Sequence, residues 1–230
     1  VGDAVVAFLP MDADGAAADY VVAPADALAT APRTVDLADA AALPVGGLTA
    51  WQALFELAGL RAGQTVLING AGGAVGGYAV QLAHQAGAHV TATASQRHAD
   101  RLRTDGADRI IGYLDHTATP LTAAGQPFDV VVNLVTTSPQ ETATLADLVR
   151  DGGALVSTTT PPPENPGRGV RTARVFAASK ADQLAELVTR VDRGELRIEV
   201  AARRPLAELP TVHDEAATGR LAGKTVLTPA

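Results

Sequence analysis

Residues 65–85 read TVLINGAGGAVGGYAVQLAHQ, and this stretch decides the fold. A strand of branched apolar residues at 65–69 runs into a glycine-rich turn, and a helix follows. Glycine has no Cβ, so it lets the chain turn tightly and brings backbone N–H groups close to a diphosphate. The start of the helix adds further N–H groups and a partial positive charge. The stretch predicts a dinucleotide-binding turn made of Gly70, Gly72, Gly73, Ala74 and Val75.

A glycine-rich string alone leaves alternatives, because many turns share this composition. The sequence argues against a P-loop, since no Gly-Lys-Ser/Thr sequence follows the turn. A packing turn without a ligand and a methyltransferase site both stay open on the turn alone. Within the turn, Gly76 or Gly77 is expected to let the helix pack tightly on the strand, and Ala74 requires a negative φ.

The end of the next strand distinguishes between cofactors. An NAD site places Asp or Glu there, about 20 residues past the turn, to hold the ribose hydroxyls. This chain has no acid at that point: Ser95 can donate a hydrogen bond and Arg97 can pair with a 2′-phosphate. A solvated arginine in the first turn of a helix is the alternative for Arg97. The residues therefore favour NADPH over NADH.

Strands and helices alternate on both sides of the turn. After it, strands are predicted at residues 89–94, 109–112, 129–135, 154–158 and 174–177, and helices at 76–85, 97–104, 141–150 and 182–193. This succession predicts an α/β fold with a doubly wound parallel sheet of the Rossmann type. Before it, strands are predicted at 1–9 and 18–23 and helices at 37–43 and 48–58, separated by a break at 44–47. Strands at 198–201 and 224–227 and a helix at 212–220 complete the tail.

Composition narrows the function classes. Hydrophobic residues make up 47% and aromatic residues 3%, so the core must consist of Ala, Val and Leu, which suits a parallel sheet covered by helices. A net charge of −7 argues against a nucleic-acid partner. Without cysteine there is no disulfide or thiolate zinc site, and the five histidines show no metal-binding spacing, so no metal is expected. The lack of cysteine fits a reducing compartment, no apolar stretch is long enough for a membrane span and no signal peptide is visible, so we expect a cytoplasmic protein.

Several segments together resemble the zinc-independent, zeta-crystallin-like quinone oxidoreductase branch of the medium-chain dehydrogenase/reductase superfamily. They occur in the family's order, and they are DAAALP at 39–44, LTAW at 48–51, GQTVLING at 63–70, GAD at 106–108 and GKTVL at 223–227. The resemblance implies that residues 1–34 end a GroES-like, barrel-type catalytic domain, that 35–194 form the Rossmann domain, and that 195–230 return to the catalytic domain. It also implies a family portion preceding Val1, and a homodimer formed by edge strands near residues 174–176.

The resemblance assigns further positions around the cofactor. Thr49 would lie near the nicotinamide, and Tyr113 would join Ser95 and Arg97 around the 2′-phosphate, although a half-buried strand-end tyrosine is an equal alternative. The residues expected to border the nicotinamide and its ribose are Asn133, Leu134, Val135, Thr158 and Thr159. Here the family often has Asp followed by Val-Gly-Gly, and the loss of those glycines is expected to narrow the space beside the cofactor.

These observations predict an enzyme that transfers hydride from NADPH to a small quinone or α,β-unsaturated carbonyl without a metal. Such acceptors take hydride without prior removal of a proton, so no particular catalytic residue is assigned. An enoyl-thioester reductase, as a domain of a synthase, is the rival enzyme. A non-enzymatic NADPH-binding protein with a structural or redox-sensing role is the rival from another class.

Arg97→Ala should weaken NADPH binding by roughly 1–3 kcal/mol, because a charge-assisted hydrogen bond to the 2′-phosphate is lost. NADH lacks that phosphate, so its affinity should hardly change. Titration calorimetry with both cofactors measures the difference, and equal losses would exclude this role for Arg97.

Overall fold

The computed structural model describes residues 1–12, 14–118 and 120–229. Within these ranges the chain forms two compact units. One is continuous and covers residues 49–176, and the other combines residues 1–48 with 177–230. The predicted domain boundaries at residues 34 and 194 stay a prediction.

The continuous unit contains a parallel sheet of six strands within the described residues, in the order β5-β4-β3-β6-β7-β8. Their bounds are β3 Thr65–Asn69, β4 His89–Thr93, β5 Arg109–Ile111, β6 Phe128–Asn133, β7 Val149–Ser157 and β8 Arg171–Arg174. Every neighbouring pair in this sheet is parallel. The central strands are buried on both faces, which explains why they read as apolar runs without alternation. The predicted doubly wound α/β fold is confirmed.

Helices lie between and around the strands. Their bounds are α1 Leu37–Ala40, α2 Leu43–Trp51, α3 Ala74–Gln85, α4 Ala99–Thr104, α5 Pro139–Thr144, α6 Ala181–Asp192 and α7 Leu209–Ala217. A π-helix, Gln52–Leu57, continues α2, and short 3-10 turns occur at Ala25–Ala27, Gln96–His98, Leu145–Leu148 and Leu206–Glu208. The start of α5 is stabilised by a reciprocal capping box, in which the side chains of Ser138 and Glu141 each bind the other residue's backbone N–H. No helix in the described ranges has the length and apolar character needed to cross a bilayer.

The discontinuous unit is held together by side chains that join its two chain segments. Strand β1, Val5–Ala7, pairs antiparallel with β2, Leu28–Thr30, while β9, Ala202–Pro205, pairs parallel with β10, Thr225–Thr228. The Asp192 carboxylate accepts hydrogen bonds from the backbone N–H groups of Arg33 at 2.7 Å and Thr34 at 3.2 Å. Arg203 donates to Asp39 at 2.6 Å and so joins β9 to α1.

The structure corrects several predicted elements. Residues 18–23 do not form a strand, and β1 pairs instead with β2, which the sequence analysis missed. Residues 44–47 do not break the helix, since α2 runs through them: Pro44 occupies the first turn, where its missing N–H costs nothing. Gly47 lies inside α2, at a position where a Cβ would come within 2.9 Å of Leu187 Cδ1, so a glycine fits there without displacing that side chain.

Other boundaries shift by a few residues. The predicted strands at 174–177 and 198–201 lie instead at β8 and β9, three and four residues away. The predicted helix at 141–150 is α5 followed by a 3-10 turn, and β7 already begins at Val149. The sequence pattern of a short amphipathic stretch fits a helix and a strand about equally well. Here pairing with β6 places the residues from Val149 onward in a strand.

A buried carboxylate joins two central strands at their amino ends. Asp129 of β6 accepts hydrogen bonds from the Thr65 backbone and hydroxyl, both at 2.8 Å, and forms an ion pair with Arg150 at 2.7 Å. Burial raises the pKa of Asp129, but the Thr65 hydrogen bonds and the charge of Arg150 outweigh it, and the pKa lies below its ordinary value. Asp129 therefore stabilises the fold in its ionised form.

Asp129→Asn should lower the free energy of unfolding by about 2 kcal/mol at neutral pH, because charge-assisted hydrogen bonds are lost. A lowered folded-state pKa means that the stabilisation is complete above the unfolded-state pKa and disappears as the pH falls through the folded-state value. The difference between the two proteins should therefore shrink in acid. Urea unfolding from pH 7 to pH 3 measures it, with the exposed Asp151→Asn as the control, and a constant difference would contradict this role.

Candidate functional site

Four buried polar side chains form one row across the carboxyl ends of the central strands. Thr93 pairs in register with Asn69, Asn69 with Asn133, and Asn133 with Ser157. The Thr93 hydroxyl donates to Asn69 Oδ1 at 2.7 Å, Asn69 Nδ2 to Asn133 Oδ1 at 2.9 Å, and Asn133 Nδ2 to the Ser157 hydroxyl at 3.2 Å. All four are buried. We call this hydrogen-bonded chain the polar row.

The polar row lies at the point where the strand order reverses. From β3 the chain builds β4 and β5 on one side, and then crosses to build β6, β7 and β8 on the other. In open parallel sheets ligands bind at the carboxyl ends of the strands beside such a reversal. Gly70 follows β3 and Leu134 follows β6, and the Leu134 N–H donates to the Asn69 carbonyl at 2.9 Å. The reversal therefore brings the glycine turn next to the loop after β6.

The backbone of the glycine turn explains two of its glycines. Gly70 has φ +92°, which L side chains rarely adopt, and its N–H donates to the Thr93 hydroxyl at 2.9 Å. A Cβ on Gly76 would lie 2.5 Å from Ala71 Cα and from the Gly70 carbonyl oxygen. Gly76 is therefore the position that allows α3 to pack against the turn.

The start of α3 is open to an anion. Gly73 is the N-cap residue, and within the described residues no side chain of the cap accepts from the first turn. Gly73 and Ala74 are exposed, and the N–H groups in the first turn of a helix have no partner within the helix. Arg168 is the single non-glycine residue with positive φ in the described part of the chain, so Ala74 meets the predicted requirement.

The polar groups at the end of β4 fit the adenosine end of a dinucleotide. The Ser95 hydroxyl is buried and has no hydrogen-bond partner among the described residues. Arg97 is exposed in the 3-10 turn, and its Nε donates to His98 Nε2 at 3.1 Å. Tyr113 follows β5 and is 73% exposed, so it is not the half-buried strand-end tyrosine of the alternative. A buried hydroxyl without a partner beside an exposed guanidinium suits a phosphate-bearing ligand.

Two side chains that the sequence analysis missed contact the glycine turn. A Cβ on Gly72 would lie 2.7 Å from His98 Cδ2, so the imidazole packs against this glycine. Arg101 Nη2 donates to the Gly72 carbonyl at 3.0 Å. The available signal was the spacing of Arg97 and Arg101 in the helix predicted at 97–104, since residues four apart on a helix share a face.

The loop after β6 is tied down by hydrogen bonds. Asn133 Nδ2 donates to the Val135 carbonyl at 3.2 Å, and the Thr159 hydroxyl donates to the same carbonyl at 3.2 Å. The Thr158 hydroxyl donates to the Asn133 carbonyl at 3.2 Å. Val135 Cγ1 lies 2.6 Å from where a Cβ of Gly70 would be, so the valine covers this glycine. The space above Gly70 is thus narrower than glycines in the loop would leave it.

The structure brings most of the predicted site residues to the carboxyl edge of one sheet. Thr49 is different, because it is buried within α2 and its place near a nicotinamide stays a prediction. No group of three or more His, Cys, Asp or Glu side chains is arranged to hold a metal in the described ranges.

Comparisons with known proteins agree with this geometry. The sequence profile of a family described as zinc-binding dehydrogenases matches residues 106–227. The chloroplast envelope quinone oxidoreductase homolog of Arabidopsis thaliana is 31% identical, and the match covers 99% of this chain and 73% of that protein. The human mitochondrial NAD(P)H oxidoreductase RTN4IP1 is 30% identical over 98% of this chain and 64% of its own length. Erythronolide synthase EryA2 of Saccharopolyspora erythraea is 36% identical over 99% of this chain, which spans 7% of that synthase.

Solved structures of oxidoreductases are also similar to this chain. The quinone oxidoreductase of Coxiella burnetii has a TM-score of 0.76 and 31% identity, covering 89% of this chain and 65% of that one. Mycobacterial Rv1454c complexed with NADPH has a TM-score of 0.75 and 26% identity, covering 90% of this chain and 69% of that one. The chain thus spans about two thirds of the length of these structures.

The expected cytoplasmic location is wrong by these comparisons. The Arabidopsis and human relatives are named as chloroplast and mitochondrial proteins. The expectation rested on the absence of cysteine and of visible targeting segments. A lack of disulfides fits any reducing compartment, so it does not distinguish the cytoplasm from an organelle.

Gly76→Ala should lower the free energy of unfolding by about 3 kcal/mol, because the methyl group would meet backbone atoms that cannot move aside. Gly73→Ala is the matched control, since Gly73 has φ −81° and the nearest atom to an added Cβ is the Gly70 oxygen at 3.5 Å.

The control should stay within about 1 kcal/mol of the parent, the usual range for an N-cap change, but lose affinity for a nicotinamide dinucleotide, because its methyl group would obstruct the exposed turn. Thermal unfolding and cofactor titration separate the two effects. Equal stability of both variants would contradict the close packing of α3 on the turn.

Proposed function

Because the chain belongs to the quinone oxidoreductase branch of the medium-chain dehydrogenase/reductase superfamily, we propose that it is an NADPH-dependent reductase of quinones or α,β-unsaturated carbonyls that needs no metal. The preference for NADPH over NADH rests on the end of β4, where a buried Ser95 hydroxyl without a partner lies two residues from the exposed Arg97. An Asp or Glu that would repel a 2′-phosphate is absent there from the sequence.

Each part of the cofactor has proposed partners. The diphosphate lies against the glycine turn at Gly70, Gly72 and Gly73, and it binds to the N–H groups of the first turn of α3, at Ala74 and Val75. The N–H groups of Gly70 and Gly73 already donate within the protein, and their part is to shape the turn. The 2′-phosphate contacts Ser95, Arg97 and Tyr113. The nicotinamide and its ribose lie beside Thr49, Asn133, Leu134, Val135, Thr158 and Thr159.

The proposed chemistry asks little of the side chains. When bound, NADPH supplies the hydride. Val135 and the loop tied to Asn133 exclude water above Gly70 and hold that end of the site rigid. A quinone or enone takes hydride before it takes a proton, so water or a hydroxyl can supply the proton. No strong acid is required, and none is assigned.

Zinc independence is part of this proposal. The description of the matching family names zinc. These 230 residues contain no cysteine, however, so they offer no thiolate ligand for zinc. We also propose that the protein forms a homodimer through the edge strand β8. Phe176, just beyond this strand, is exposed, and the guanidinium carbon of Arg174 lies over its ring, 4.7 Å from the ring centre.

A second candidate is the reduction of an enoyl thioester. It is favoured by the match over 99% of this chain to a short part of erythronolide synthase EryA2, because that match places a similar unit inside a much larger synthase. A protein that binds NADPH without turnover is the remaining alternative, and the narrowed space above Gly70 supports it.

An assay of NADPH oxidation by the full-length protein with a quinone, an enone and an enoyl thioester distinguishes the three functions. We expect turnover with the quinone or the enone, a preference for NADPH over NADH, and no loss of rate in a metal chelator. Faster turnover of the thioester would favour the second candidate. Tight NADPH binding without oxidation by any acceptor would leave only the non-enzymatic function.

A further inference from the structure

The Arg101 guanidinium lies against the glycine turn. Its Nη2 donates to the Gly72 carbonyl at 3.0 Å, in a partly buried hydrogen bond between residues 29 apart in the sequence. The side chain is 22% exposed, so most of it is enclosed by protein. This is a charge-assisted bond to the backbone of the turn itself.

Neighbouring residues form a slot for this guanidinium. Asp105, the C-cap residue of α4, has a carboxylate oxygen 4.0 Å from Nη1 and a side chain that is 1% exposed. On the α3 side, a Cβ on Gly77 would lie 2.9 Å from Nη1, so the missing side chain leaves room for the arginine. Gly77 is thus explained by Arg101, as Gly76 is explained by the turn.

The hydrogen bond has a direct consequence for the N–H groups of the turn. A peptide unit is planar, so a fixed Gly72 carbonyl also fixes the direction of the Gly73 N–H. That N–H donates to the Gly70 carbonyl at 3.2 Å and closes the turn just before the exposed N–H groups of α3. The positive charge of Arg101 also favours an anion at this point.

We propose that Arg101 is a positioning residue for the diphosphate-binding turn, acting equally on NADPH and NADH because both carry the diphosphate. The proposal rests on the proposed function of the glycine turn. Arg97 is placed to contact the 2′-phosphate, which distinguishes the two cofactors. Arg101 acts through Gly72 and does not distinguish them. Helix α4, which follows β4, thereby shapes the binding turn that follows β3.

The test compares Arg101→Met, Arg101→Lys and Arg103→Met. Arg103 lies on the same helix, is exposed and pairs with Asp100, so its variant makes the same charge change away from the turn. Arg101→Met should weaken NADPH and NADH by the same factor, about tenfold, as expected for the loss of one charge-assisted hydrogen bond. Arg101→Lys should recover part of the affinity, and Arg103→Met should bind like the parent.

The measurements are dissociation constants for both cofactors by fluorescence titration, the KM for NADPH and kcat, and the melting temperature. We expect a raised KM with an unchanged kcat. Because Arg101→Met leaves Asp105 without this partner, the double variant Arg101→Met/Asp105→Asn provides a protein without the buried charge in case the single variant fails to fold.

Two results would overturn the positioning role. Unchanged affinities with a lower melting temperature would show that Arg101 only stabilises the fold. A loss confined to NADPH would mean that Arg101 contacts the 2′-phosphate itself. If the parent binds neither cofactor, the proposed function fails and the inference fails with it.

Discussion

The polar row across β4, β3, β6 and β7 is the constraint on which the site depends. A buried amide or hydroxyl costs free energy unless it is hydrogen-bonded, and each member of the row satisfies its neighbour. A slip of one residue between any two of these strands would leave such groups unpaired, so the row specifies the register at the carboxyl edge. Two of these four residues also hold the adjoining loops, since the Thr93 hydroxyl accepts from the Gly70 N–H and Asn133 donates to the Val135 carbonyl. The row thus sets both the strand ends and the start of the binding loops.

The sequence predicted those parts of the fold that depend on local pattern. The glycine turn, the buried strands before and after it, and the helix of α3 follow from residue type and spacing alone. Ser95 and Arg97 could be identified because they follow a recognisable strand. The polar row itself was not foreseen as a unit, because which strands become neighbours is decided by tertiary packing and not by local preference.

The errors have the same origin. Residues 44–47 contain Pro and two glycines, which disfavour a helix locally, yet α2 is continuous there, and Gly47 lies where a Cβ would crowd Leu187. His98 and Arg101 lie on a later βα unit, so their contacts with Gly72 cannot be read from the chain near the turn. Neither the lack of cysteine nor the lack of a visible targeting segment identifies the cellular location, because neither property is specific to one compartment.

The residues of the proposed cofactor site follow strands that have different numbers of neighbours in the sheet. The glycine turn follows β3, which is paired on both sides in the middle of the sheet. Tyr113 follows β5, a strand of three residues at the sheet edge. In hydrogen exchange, edge segments with few buried contacts open at lower free energy than central strands. Hydrogen exchange should therefore be slower in the strand that carries the glycine turn than in the strand that carries Tyr113. Ser95 and Arg97 follow β4, which is paired on both sides, so local opening of β5 would release one of the three proposed 2′-phosphate contacts and leave the other two in place.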